Sequence, residues 1–197
     1  MAGGWSIGLL IIILPLWLVE ADVFQIPQLH KHFNVSGNYD PYPFTPKSNS
    51  KLKRGQFWTI KLSNGRFAAG VVLDIPAKEV ADTKTFFAGL LNWVGASKPT
   101  KAELESSKIE VVEQGVAHIK TITGDGEQIE GEVDLEKCAV SIRPEVDSIA
   151  YSKYSQILKG FQIIGKALPV DHERCKTRST WGYKMIINKA NRLLRQE

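Results

Sequence analysis

The stretch FWTIKLSNGRFAAGVVLD, residues 57–74, constrains the fold more than any other part of this chain. Two runs rich in aromatic and β-branched residues flank Ser63-Asn64-Gly65. Asn-Gly is the favoured pair where both central residues of a type I′ turn need positive φ. With Asn64 and Gly65 as a two-residue turn, Leu62 falls opposite Phe67, Ile60 opposite Ala69 and Trp58 opposite Val71. All six then share one face, which predicts a hairpin in a half-buried sheet.

Further elements follow from the same kind of evidence. Phe86 to Val94 is a short apolar, aromatic run ended by Gly95. It reads as a buried strand, with a short helix as the alternative that periodicity leaves open. Thr100-Lys-Ala-Glu103 has the capping-box form and predicts a helix over 101–107. A second hairpin is expected from 116–123 and 127–133 around Gly124-Asp125-Gly126, with Ile122 opposite Ile129. Strands are expected at 138–143 and 156–165. Ser179 or Thr180 can cap a terminal helix striped by Tyr183, Ile186, Ile187, Ala190, Leu193 and Leu194. The sum is an α+β fold: a small, strongly bent, barrel-like antiparallel sheet with a short helix and a C-terminal helix.

Ahead of this domain, Ala2 to Val19 carries no charge, at the threshold for a membrane span. Residues 1–21 read as a signal or membrane segment, although no Lys or Arg precedes the apolar run. This predicts membrane anchoring or export; a cytoplasmic location follows if the segment is a start-site artefact. Residues 22–50 read as a linker punctuated by Pro27, Pro41, Pro43 and Pro46, and residues 51–197 as the domain. Asn34-Val35-Ser36 fits a glycosylation acceptor, and His30 and His32 make a weak metal pattern without a third ligand.

At 197 residues and 43% hydrophobic, the chain suits one cored domain with an appendage. Its net charge of +4 conceals two opposed blocks. Residues 101–136 hold ten acids against Lys101, Lys108 and Lys120, a net −7. Residues 171–197 hold seven basic and three acidic side chains, a net +4. An acidic surface of that kind suits a basic partner, whereas the bland reading is a set of solvated strand faces. Cys138 and Cys175 do not amount to a disulfide framework, and they lie too far apart in sequence for a CxxC pair.

Motifs for chemistry are weak. Gly124-Asp-Gly126-Glu-Gln-Ile-Glu-Gly131 is not a dinucleotide fingerprint and opens no helix. Tyr154 and Lys159 miss the Tyr-x-x-x-Lys spacing, since Leu158 stands where the Lys belongs. His172 and Cys175, with Asp171 and Cys138, make half a metal site at most, and no metal or other cofactor is expected. His118 and Cys175 are the only catalytic candidates, His118 as a base beside one of the many carboxylates. Both have bland alternatives, a structural strand histidine and a loop thiol.

Residues 53–74, KRGQFWTIKLSNGRFAAGVVLD, with FFAGLLNWVG (86–95) and QGVAHIKTI (114–122), resemble the bacterial immunity protein 26 family. That family's label is shared with a phosphotriesterase line. The resemblance spans about residues 51–136 and implies an α+β domain with a characteristic tryptophan, matched to Trp93. It also implies a protein that protects a toxin-producing cell by occupying the toxin. The first reading is therefore a binding protein that occludes a basic protein partner, with Glu127, Glu130 and Glu132 as contacts. Trp93 is expected chiefly as core at the border of that surface, and is kept as a binding candidate. The alternative implied by the label is a hydrolase of organophosphate triesters. Nucleic-acid binding ranks last, because only Trp181 and Tyr183 interleave the basic C-terminal block.

Overall fold

The computed structural model describes residues 42–194. The hydrophobic head 1–21, the linker as far as residue 41, Asn34, His30 and His32 lie outside the described residues. The end of the segment read as linker, from Tyr42 on, makes contacts with the strands that follow. Phe44 exchanges backbone hydrogen bonds with Ile129, at 3.0 and 2.9 Å, and a 3-10 turn occupies Asn49–Lys51.

In chain order the strands and helices are β1 (Gln56–Lys61), β2 (Phe67–Asp74), β3 (Thr85–Gly95), α1 (Lys101–Ser106), β4 (Val111–His118), α2 (Lys120–Thr123) and β5 (Ile129–Glu132). They continue as β6 (Glu145–Val146), β7 (Gln156–Lys159), β8 (Gln162–Lys166), α3 (Pro169–Arg174), β9 (Lys176–Thr177), β10 (Thr180–Trp181) and α4 (Met185–Leu194). Six strands form one sheet in the order β10-β4-β3-β2-β1-β5, and four form another, β8-β7-β6-β9. The fold is mixed α+β, as expected. It departs from the expected barrel, because β5 and β10 end the large sheet without meeting. It is also not wholly antiparallel: β10 runs parallel to β4, and β9 parallel to β6.

The first hairpin is present with a different turn. Gly65 alone has positive φ (81°), so the type I′ turn, which needs it at Asn64 too, is not formed. Leu62 N–H donates to Arg66 O, and Gly65 N–H to Leu62 O. That makes a three-residue loop, Ser63-Asn64-Gly65, ending in a left-handed glycine bulge. The ladder therefore pairs Trp58 with Gly70 and Ile60 with Ala68, one residue off the predicted register. Such a slip exchanges the faces, and Ala69 and Val71 lie on the other face of the sheet from Trp58 and Ile60.

Both faces of the large sheet are covered. On one, Trp58, Ile60, Phe86, Leu90 and Trp181 pack with Ile186, Ala190 and Leu194 of α4. On the other, Phe57, Val71, Leu73, Phe87 and Leu91 pack with Leu104 of α1 and with Val133, Leu135 and Val140. β3 matches the run predicted at 86–94, and α1 has its capping box: Thr100 Oγ1 accepts from Glu103 N–H, and Thr100 N–H donates to Glu103 Oε2 at 2.9 Å. The stripe of α4 buries Ile186, Ala190 and Leu194, while Tyr183 and Leu193 are exposed. Thr180 does not cap it, being paired in β10.

Three expected strands differ. After His118 the chain turns into α2, where Ile119 and Ile122 at helical spacing both enter the core. The second hairpin is therefore absent, and β5 pairs with β1 instead. Residues 138–143 form no strand: Asp134 Oδ1 accepts from the Glu136 and Lys137 N–H groups and starts a turn. The strand expected at 156–165 is a hairpin, β7–β8, turning at Gly160 with φ 62°.

Candidate partner-binding surface

β5 fixes the geometry of the candidate surface through a bulge. Gly131 pairs with Phe57 and Ile129 with Trp58, so Glu130 is the extra residue between them; Ile129 and Gly131 are buried, and Glu130 and Glu132 are half-buried. Val133, 3% exposed, packs on the Phe57 face, and its N–H donates to Gly55 O. Beside this strand lies a cleft of about 680 Å³ lined by Glu130, Glu132, Asp134 and Glu136, with Arg54 and Lys101 as its cations. Arg54 is engaged elsewhere as well, its Nε donating to Leu73 O at 3.0 Å.

The carboxylates are not bare. Lys98 Nζ bridges Glu130 Oε1 at 2.7 Å and Glu127 Oε2 at 3.1 Å. The hydrogen bond to Glu130 is the main reason that Lys98 is raised above the ordinary lysine value, with Glu127 adding and partial burial opposing. Tyr42 donates its hydroxyl proton to Glu132 Oε2 at 2.8 Å, and Gln56 Nε2 donates to the same hydroxyl oxygen at 3.1 Å. Burial first, then the neighbouring Glu132, push the Tyr42 phenol up to about 12. These contacts hold the three glutamates in defined positions. Their charge is only partly offset, because a single ammonium serves two carboxylates.

The other sequence candidates fall elsewhere. Trp93 is half-buried against the Phe57–Phe87 face, and Gly95 lies under its indole: a Cβ there would sit 2.4 Å from Cη2. It does not line the acidic cleft. His118 ends β4, where its Nδ1 accepts from the Lys120 N–H at 3.1 Å. Cys175 lines a separate cleft of about 370 Å³ with Glu113, Glu145, Arg143, Arg174 and Lys176, and His118 is not among the lining residues. Glu145 there is 4% exposed, and burial raises its carboxyl above the usual range, opposed mainly by Gln114 and by Arg178 and Arg143. Both cysteines are free thiols, and burial together with Glu105 and Asp134 raises Cys138. His172 packs edge-on against Tyr151 at 5.7 Å with both ring nitrogens buried and unpartnered. Among the described residues no three His, Cys, Asp or Glu side chains converge as metal ligands. No described helix is long and apolar enough to cross a membrane.

Lys98 and Tyr42 were missed by sequence reasoning. Lys98 stands just outside the acidic block, and Tyr42 sits in what read as linker. Neither carries a local signal, since their carboxylate partners lie 29 to 90 residues away. Glu113 shows the same effect: Lys176 at 2.9 Å and Lys189 at 3.1 Å come from the basic C-terminal block to pair with it. The two opposed charge blocks thus partly neutralise each other. No family model, no curated protein and no solved structure matches this chain.

Proposed function

We propose that this protein is a binding protein of the immunity type, which occludes a basic protein partner by receiving it in the acidic cleft along β5. The observation that carries the reading is the cleft itself, where four carboxylates face two cations in an open space of about 680 Å³. A surface of this charge attracts lysine- or arginine-rich segments and speeds their encounter. The fixed positions of Glu130 and Glu132 give that attraction a register. The resemblance of residues 51–136 to immunity protein 26 supports a toxin as the partner, of the nuclease type whose active surface is basic.

The test is binding of the full chain to the product of an adjacent gene, measured by calorimetry and stopped-flow mixing. Reversing Glu127, Glu130 and Glu132 to Lys should lower the thermal melt modestly without unfolding the domain, because Glu127 and Glu130 keep only 21% and 16% of their side-chain surface exposed and the new lysines face Lys98. It should weaken binding at least about tenfold, mainly through slower association, and flatten the salt dependence. A folded triple variant that binds as well as the wild type sinks the proposal.

A further inference from the structure

β1 is paired along its whole length on one side and along half of it on the other. β2 runs beside it from Phe57 to Lys61, whereas β5 pairs with it only at Gln56, Phe57 and Trp58. Leu62 N–H donates to Arg66 O. In an antiparallel ladder, residues that exchange hydrogen bonds with one neighbour alternate with residues that face the other side. Trp58 and Ile60 therefore bond to β2, and Thr59 and Lys61 turn their N–H and C=O groups away from it. Just past the strand, Ser63 N–H donates to Asn191 Oδ1 of α4 at 2.7 Å, so α4 borders this edge. Lys61 has no strand partner on that side among the described residues.

A cleft of about 460 Å³ lies along this edge. All six residues 58–63 line it. A hollow on one face of a strand would meet only every second residue, so this one follows the backbone edge. The rest of its lining comes from α2 and the loop after it, including Ile122, Asp125 and Glu127, and from α4, including Lys184, Ile187 and Asn188. Trp58, Ile60, Leu62, Ile122 and Ile187 belong to one apolar cluster, in which Ile187 is only partly buried. The charges balance, Lys61 and Lys184 against Asp125 and Glu127. That separates this cleft from the acidic one, with which it shares no lining residue.

We propose that this cleft binds a short extended peptide segment of another protein, which adds to β1 as an antiparallel strand. Two features select that occupant. Lys61 offers an N–H and a C=O side by side, and one residue of an extended chain matches both. The apolar cluster lies on one side of the edge, so it takes the side chains at alternate positions of that chain, with Ile187 as their contact. The length of β1 past Trp58 suits about three or four residues, on the order of 10–13 Å. A second copy of this chain is the competing occupant of an unpaired edge. Here α2 and α4 complete the lining, which leaves room for a single chain and stands in the way of a second sheet. The balanced charge makes this recognition independent of the acidic cleft.

The test is calorimetry and residue-resolved hydrogen exchange on the full chain, with the blocked peptide acetyl-Ser-Ile-Gln-Ile-Ser-amide as probe. The probe is uncharged, so the acidic cleft has no hold on it. It should bind saturably and slow exchange at the Lys61 amide. With both isoleucines over the apolar cluster, its glutamine pairs with Lys61. N-methylation of that glutamine should therefore weaken binding roughly three- to tenfold, the worth of one hydrogen bond. Lys61→Ala should bind as the wild type does, because the contact is to the backbone, whereas Lys61→Pro lacks the N–H and should not bind. Asn188→Trp fills the cleft from an exposed position and should block binding without lowering the melting temperature. A probe that does not bind, or binds without protecting Lys61, overturns the proposal. So does N-methylation without loss, or binding that survives Asn188→Trp. Protection of Lys61 that grows with protein concentration in the absence of peptide marks a second copy as the occupant and overturns it too.

Discussion

Gly70→Ala is the smallest change that tests how the core is built. Gly70 pairs with Trp58 across β1 and β2, and the indole lies over the glycine. A Cβ at position 70 would sit 2.3 Å from Cε2 and Cζ2 and 2.8 Å from Cη2. Carbon atoms pack at about 3.5–4.0 Å, so more than an ångström of overlap must be relieved. Trp58 has little room to move, being 1% exposed and held edge-on by Phe86 at 5.7 Å and 81°. Relief therefore falls on the β1–β2 ladder. Overpacking of this kind costs about 1–3 kcal/mol, and the severity of the overlap argues for the upper end. Replacing Gly by Ala also returns about 0.4–1 kcal/mol by restricting the unfolded chain. The net expectation is a loss of about 2 kcal/mol, or roughly 4–8 °C in Tm for a domain of this size. Gly182→Ala is the control, because nothing lies within 4 Å of its would-be Cβ. Adding Trp58→Phe should make room, and the double-mutant cycle should show a coupling of about 1 kcal/mol or more. A Gly70→Ala protein that melts with the wild type, or a cycle without coupling, would refute the packing argument.

Other substitutions probe separate devices. Thr100→Ala removes the capping box of α1 and should cost about 1 kcal/mol in a denaturant melt. Gly65→Val should cost about 1–3 kcal/mol through backbone strain alone, since φ is 81° and nothing lies within 4 Å. Gly65→Asn, which tolerates that region, should cost less. At Glu113, burial raises the carboxyl but the Lys176 and Lys189 ammonium groups override it and hold it below the usual value. A lowered carboxylate contributes stability that is present above the unfolded value and is lost as pH falls through the folded one. Glu113→Gln should therefore cost about 1–3 kcal/mol at neutral pH. Melts across pH should show that gap closing as the pH falls below 4.5.

What the sequence disclosed was local, and what it concealed was long-range. Asn64-Gly65, the Phe86–Val94 run and Thr100-x-x-Glu103 each carry their own instruction within a few residues, and a turn, a strand and a capped helix stand there. The turn type still escaped, because a two-residue and a three-residue loop both use that Asn-Gly, and the choice moved the register by one. Residues 116–133 misled because Thr121 and Ile122 suit a strand as well as a helical turn, and the decision lay with Ile119 and Ile122 sharing a core. The acidic block was legible as charge but not as geometry. Lys98, Tyr42, Lys176 and Lys189 reach it from elsewhere in the chain, and no spacing rule reports contacts of that range.

A sheet covered on both faces also divides what selection can change. Trp58, Phe86 and Trp181 on one side and Phe57, Phe87 and Leu104 on the other leave no open face on which a new specificity could be built. Innovation is thereby confined to the rims: the half-buried carboxylates of β5 and the second sheet. Those positions make few demands on the interior, so they can drift or be redesigned while the scaffold keeps its stability. A lineage chasing a changing partner could rewrite Glu130 and Glu132 many times over without having to solve the folding problem again.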